Sequence, residues 1–173
     1  MPVNTGHMQS SHLPGIIIRT IMPHEYSHLA EFLYEAVFIP EGKARPGREI
    51  LNIPEIARYI SDFGSENDHC LVAESADGLL GAVWTRIFTQ SERGFGYVDE
   101  LTPELSMSVL PGYRNRGIGT SLLREMIGKL KQLGYEQVSL SVDLENFAYR
   151  LYQKLGFTVV GVSDGSATMV KNL

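Results

Sequence analysis

The chain has 173 residues, 43% hydrophobic and 20% charged, and 15 Lys and Arg against 20 Asp and Glu give a formal charge of −5. This is the composition of one globular domain large enough to bury a real core. It excludes a bilayer span, since no apolar run approaches ~20 residues, and a generic nucleic-acid binder, which needs clustered Lys and Arg.

Residues 1–14 are polar, patternless and carry two prolines. They read as a disordered leader, or in part as an expression remnant around Gly6-His7-Met8, with a single domain over 15–173. Order is expected to begin with a β-branched strand over Ile16–Ile21. Pro23 then suits the first turn of a helix running to about Phe38, with Leu29, Phe32, Leu33, Ala36 and Val37 at helical spacing. Ile39–Asn52 reads as a loop, and Pro54–Phe63 as a short second helix with Ile56, Tyr59, Ile60 and Phe63 on one side. Strands over His69–Ser75 and Leu79–Thr89 flank Ala76-Asp77-Gly78, a strong hairpin signal. The lone cysteine, Cys70, leaves no internal disulfide and no cysteine-based zinc site, which suits a reducing cytoplasm. No second His or Cys lies at metal-ligand spacing from it, so no metal is expected.

Glu104–Leu110 reads as a strand with Leu105, Met107 and Val109 facing one way and Ser106 and Ser108 the other, Glu104 sharing the serine side. Gly117–Leu133 is an amphipathic helix whose stripe comprises Ile118, Leu122, Leu123, Met126, Ile127, Leu130 and Leu133, stopped by Gly134. A strand over Glu136–Val142, a helix over Asn146–Leu155 and a closing hairpin over Phe157–Val162 and Ala167–Val170 complete a mixed α/β domain.

The turn Leu110-Pro111-Gly112-Tyr113-Arg114-Asn115-Arg116-Gly117-Ile118-Gly119-Thr120 joins a strand to the best helix of the chain. Unpaired amides and the positive end of the helix dipole converge there, which makes an anion site. Gly117 and Gly119 permit close approach, and Arg114 and Arg116 supply bidentate donors. Two phosphate motifs are excluded. A nucleotide-triphosphate loop needs Lys and Ser/Thr where Ile118-Gly119 stand, and the dinucleotide fingerprint needs glycine where Leu122 stands.

With this Arg-x-x-Gly-x-Gly turn comes Asn146-Phe147-Ala148-Tyr149-Arg150-Leu151-Tyr152-Gln153-Lys154-Leu155-Gly156-Phe157, one helix and one strand downstream. The two motifs and the order of elements resemble the GNAT superfamily of acyl-CoA-dependent N-acetyltransferases, over about residues 16–173. The resemblance implies a three-layer α/β (mixed α+β) domain, its mostly antiparallel central sheet of about seven strands flanked by helices on both faces. It also implies acetyl-CoA as co-substrate, its diphosphate on the amides of Asn115 to Thr120 and its pantetheine along Val109 and Leu110 where the fourth and fifth strands splay. Tyr152 matches the family's proton donor to the departing thiolate. Asn146 matches a residue near the pantetheine and also suits a helix cap.

Direct attack by a primary amine requires a neutral nitrogen. An alkyl ammonium of pKa ≈ 10.4 is neutral about once in 2,500 at pH 7, a cost of roughly 4.6 kcal/mol, so a proton acceptor is expected. Asp99, Glu100 and Glu104 cluster before the fourth strand, and Glu104 and Glu100 are the candidates. Trp84, Tyr97, Tyr34 and the Glu41–Glu49 loop are candidates for the acceptor pocket. Arg150 and Lys154 are either 3′-phosphate contacts or solvated helix charges. The resemblance implies a small-molecule or peptide amine as acceptor, of a kind the sequence leaves open; neither nucleic acid nor membrane is expected as partner, and relatives of this kind often form homodimers. The competing expectation is a domain of the same fold that binds acyl-CoA as a sensor without turnover.

Overall fold

β-branched runs and one long apolar stripe assemble into a seven-stranded sheet with helices on both faces. The computed structural model describes residues 13–173. The leader expected over 1–14 lies outside the described residues except for its last two, of which Leu13 packs against the core.

The strands are β1 (Ile17–Thr20), β2 (His69–Ser75), β3 (Gly78–Arg86), β4 (Glu104–Val109), β5 (Gln137–Asp143), β6 (Thr158–Ser163) and β7 (Ser166–Asn172). Their order across the sheet is β1-β2-β3-β4-β5-β7-β6. Every neighbouring pair is antiparallel except β4 and β5. The expected Asp-Gly hairpin forms, with Ser75 opposite Gly78 and the Asp77 N–H donating to Ser75 Oγ at 3.0 Å.

The helices are α1 (Leu29–Ala36), α2 (Pro54–Ala57), α3 (Ile118–Gln132) and α4 (Ala148–Lys154). Two depart from expectation. The first splits, because Pro23–His28 winds as a tighter 3-10 turn before α1. Its Glu25 is pinned by a 2.9 Å bond from the Met22 N–H and a 2.6 Å ion pair with Arg19 on β1. The second stops at Ala57, because the backbone beyond it answers to side chains from β3. Trp84 Nε1 donates to the Tyr59 carbonyl at 3.1 Å, and Arg86 Nη1 donates to the Arg58 and Ser61 carbonyls at 2.9 and 2.6 Å.

Two cores result, one on each face. Under α3 and α4 lie Leu71, Val83, Leu105, Val138, Leu140 and Met169, met by the stripe of α3. Leu133, the last member of that stripe in the sequence, is instead 53% exposed past the helix end. Under α1 and the Pro54–Phe63 segment lie Phe32, Leu33, Tyr59, Val72, Ala82 and Trp84.

The consequential irregularity is in the middle of the sheet. β4 and β5 pair only where Glu104 stands opposite Ser139, with the Ser139 N–H donating to the Pro103 carbonyl at 3.0 Å. Beyond that point the strands part.

Candidate active site

A cavity of about 1130 Å³ follows the gap between β4 and β5. It reaches both faces of the sheet, because strand alternation sends Met107 and Val109 toward α3 while Ser106 and Ser108 face α1. The Leu110 N–H bonds to the Leu80 carbonyl of β3 at 2.8 Å. Backbone groups on a strand alternate sides, so the amides of Met107 and Val109 point the other way, into the gap. This corrects the expectation for Leu110: its amide is spent within the sheet and its side chain packs on the α1 core.

The turn between β4 and α3 closes one end of the cavity, which Asn115, Gly117, Ile118, Gly119 and Thr120 line. Gly117 has φ +84°, a left-handed conformation that turns the chain into α3. The Gly117 carbonyl accepts the Ser121 N–H at 3.1 Å, the first bond of the helix, and the amides ahead of Ser121 therefore face outward. Gly119 serves packing more than access. A Cβ there would stand 3.3 Å from Met107 Cε, so the missing side chain lets α3 lie close on β4.

The arginines of the turn differ from expectation. Arg114 Nε donates to the Val109 carbonyl at 2.8 Å and its Nη2 to Glu35 at 3.0 Å, so one edge of its guanidinium is committed inside the protein. Arg116 lies over the Tyr113 ring, 5.5 Å from its centre, and is not among the cavity-lining residues. Asn146 takes the capping role: its Oδ1 accepts the Ala148 N–H at 2.9 Å, and the residue lines the cavity as well.

Tyr152 lines the cavity from α4, its ring edge-on to Phe157 at 5.7 Å. Burial alone pushes its hydroxyl up to about 12. It is a proton-bearing group at any physiological pH.

Glu104 is 3% exposed at the start of β4, on the opposite face of the sheet. The Tyr59 hydroxyl donates a short hydrogen bond to its Oε2 and accepts one from the Phe95 N–H at 2.7 Å, while its Oε1 is buried without a hydrogen-bond partner among the described residues. Burial drives the carboxyl up to about 7, against the opposing pull of the Tyr59 hydrogen bond and the nearby Gly96 backbone. Glu104 itself does not line the cavity, but Tyr59 does, together with Phe95, on which it stacks with ring centres 6.2 Å apart. Neither was singled out as a site residue from the sequence. Tyr59 sits in an apolar helical stripe, and nothing local ties it to a carboxylate 45 residues away.

The other candidates fall elsewhere. Glu100 is exposed and accepts the Gln90 N–H at 2.9 Å, and Asp99 is exposed and holds the Leu101 N–H at 2.9 Å. Neither lines the cavity. Trp84 is fully enclosed in the core, and Tyr97 carries Arg93 over its ring. Tyr34 is buried as an anchor for the following loop, its hydroxyl donating to the Pro46 carbonyl at 2.6 Å. Arg150 and Lys154 lie on the exposed side of α4, off the cavity. Cys70 is enclosed, and burial pushes its thiol up to about 12, so it is unreactive. Among the described residues no cluster of three or more His, Cys, Asp or Glu is arranged to hold a metal, and no helix is long and apolar enough to cross a membrane.

Residues 31–157 match the sequence model of the acetyltransferase (GNAT) family. A mycothiol acetyltransferase of Propionibacterium freudenreichii subsp. shermanii is 26% identical over 170 residues, which are 96% of this chain and 50% of that protein. An N-alpha-acetyltransferase of Sulfurisphaera tokodaii is 38% identical over 100 residues, 53% of this chain and 57% of that one. The chain thus spans no more than half the length of the mycothiol acetyltransferases it matches. Among solved structures, PaiA N-acetyltransferase of Thermoplasma acidophilum in complex with coenzyme A superposes with a TM-score of 0.63 at 22% identity, over 91% of this chain and 99% of that one.

Proposed function

This chain belongs to the GNAT acetyltransferase family, and from that premise we propose that it transfers an acetyl group from acetyl-CoA to a primary amine by direct attack, both substrates meeting in the gap between β4 and β5. The observation that carries the reading is the cavity itself. It joins the outward-facing amides of the Gly117 turn to Tyr152 on one face of the sheet and to the Tyr59–Glu104 pair on the other.

Acetyl-CoA supplies the acetyl group already activated as a thioester. The protein's part is to bind, orient and move protons. The amides of Ile118, Gly119 and Thr120, with the dipole of α3 behind them, suit the coenzyme's diphosphate. The unpaired amides of Met107 and Val109 offer strand-like hydrogen bonds to a peptide-like arm and a donor for charge that develops on a carbonyl oxygen.

On the other face, Glu104 is the proton acceptor. A carboxyl held near 7 is half ionised at neutral pH, strong enough to take a proton and weak enough to release it. Its route to the cavity is the Tyr59 hydroxyl: the bound ammonium gives a proton to the phenol oxygen as the phenol passes its own to Glu104 Oε2, the neutral amine then attacks the thioester, and the second proton shed by the nitrogen ends on the departing sulfur. Tyr152 acts on the leaving sulfur. Moving its proton fully to a thiolate of ordinary pKa near 8.5 would be uphill by about 5 kcal/mol from a phenol near 12, so Tyr152 stabilises the sulfur by donating a hydrogen bond.

The acceptor class includes small-molecule amines and peptide amino termini, in line with the mycothiol and N-alpha acetyltransferases among the relatives. A thiol-release assay with acetyl-CoA and a panel of both kinds of amine tests the reading. Release dependent on at least one amine is expected; coenzyme binding without release for every amine would favour a sensor.

A further inference from the structure

Glu35, at the end of α1, keeps only 7% of its side chain exposed, yet it serves two cations that come from different parts of the chain. Its Oε1 accepts from Arg45 Nη2 at 2.8 Å and its Oε2 from Arg114 Nη2 at 3.0 Å, and all three residues line the cavity. Arg114 belongs to the turn before α3. Arg45 belongs to the loop between α1 and α2, which borders the cavity through Val37, Phe38 and Ile39. That loop has anchors of its own. The Tyr34 hydroxyl holds Pro46, and the guanidiniums of Arg45 and Arg48 lie 4.0 and 4.6 Å from the centre of the Tyr34 ring.

One carboxylate between two guanidiniums neutralises neither. Each arginine has one bond to it, where an undivided pair would make two parallel bonds. A diphosphate at the Gly117 turn is a stronger anion than a shared carboxylate, and of the two arginines in that turn Arg114 is the one that lines the cavity. Drawing Arg114 away frees Glu35 Oε2, and Arg45 is the remaining cation within its reach.

Resting on the coenzyme site proposed above, we propose that Glu35 is a positioning residue that exchanges partners between the two substrate sites. It shares Arg114 and Arg45 while the turn is free, and grips Arg45 with both oxygens once coenzyme phosphates engage Arg114. Coenzyme binding thereby tightens the loop that walls the acceptor side, and by reciprocity a tightened loop favours the coenzyme. The same carboxylate opposes the coenzyme in the unliganded protein, because it competes with the phosphates for Arg114.

The test uses coenzyme A alone as probe. Amide hydrogen exchange is followed across residues 40–48, and the dissociation constant is measured by calorimetry, for wild type and Glu35→Gln. In the wild type, coenzyme A is expected to slow exchange of this loop about 5-fold, the size of a modest coupling. In Glu35→Gln that response should vanish while coenzyme A binds about 3-fold tighter, as expected for removal of one partly exposed competing ion pair. A loop response equal in both proteins would overturn the proposal, as would weaker coenzyme binding by the variant. Faster loop exchange by the same factor with and without coenzyme A would also overturn it, since that is the mark of a simple fastener. Failure of the wild type to bind coenzyme A at all would instead remove the coenzyme site on which the proposal rests.

Discussion

The two ends of the cavity are built on opposite plans. The end at the Gly117 turn comes from one continuous stretch of chain, Pro111 to Thr120, and offers backbone amides whose direction is set by a helix start and a left-handed glycine. The end at Glu104 gathers Tyr59 from beyond α2, Phe95 from a loop and Glu104 from β4, and offers side chains whose protonation is set by burial. A backbone site tolerates many side chains but not a change of local conformation. A buried titratable site tolerates neither loss of a partner nor a change of pH.

Blocking the first end should have the largest effect. Gly117→Trp puts a bulky L-residue at φ +84° beside the cavity, and coenzyme affinity should fall at least about 100-fold, read by calorimetry with folding checked by circular dichroism. An unchanged dissociation constant would move the coenzyme elsewhere.

At the second end, Glu104→Gln keeps the shape and removes the basic site. The ratio kcat/KM should drop about 10²- to 10³-fold with coenzyme affinity intact. The same variant has a signature in stability. The Glu104 carboxyl titrates near 7 in the folded protein against 4.5 in the open chain. Its contribution is therefore most favourable below the unfolded value and is lost as pH rises through the folded one. Between pH 4 and pH 8, thermal or denaturant unfolding should shift in favour of Glu104→Gln over wild type by about 3 kcal/mol. A difference independent of pH would mean that the carboxyl is not held protonated by burial.

Tyr152→Phe separates transition-state from ground-state roles on the coenzyme face. A hydrogen bond to a leaving sulfur acts on turnover, so kcat should fall about 10- to 100-fold while the coenzyme dissociation constant stays within about 2-fold. Equal losses in both would make Tyr152 a wall and not a donor.

The smallest effect sharpens the second end further. Tyr59→Phe removes both the relay hydroxyl and a hydrogen bond that holds the Glu104 pKa down. Turnover should fall about 10-fold, a water in the vacated hydroxyl position carrying the proton less well, and the acid limb of the remaining kcat/KM profile should move to higher pH, since a carboxyl without that bond keeps its proton longer. A limb that moves to lower pH would contradict the pairing of the two residues.

Amino-acid order by itself determined much of this molecule. The strand alternation of β4 was readable from Leu105, Met107 and Val109 against Ser106 and Ser108. So were the apolar stripe of α3, the hairpin at Asp77-Gly78 and the glycine turn that leads into α3, each a matter of near neighbours in the chain whose spacing carries the physics. Neighbours also announced the cap at Asn146 and the motif that includes Tyr152. What only the tertiary structure decided is where distant groups meet. Which carboxylate at the entrance to β4 is buried, Glu100 or Glu104, depends on what covers it. Glu100 lies in water against Gln90, and Glu104 lies beneath Tyr59 and Phe95, segments that local pattern assigns to core or loop. Arg114 looked like a free phosphate donor because Glu35, its partner across 79 positions of sequence, comes near it only when α1 packs across β4. Burial and long-range ion pairing are properties of packing, and packing is where charges acquire the pKa values and partners that catalysis uses.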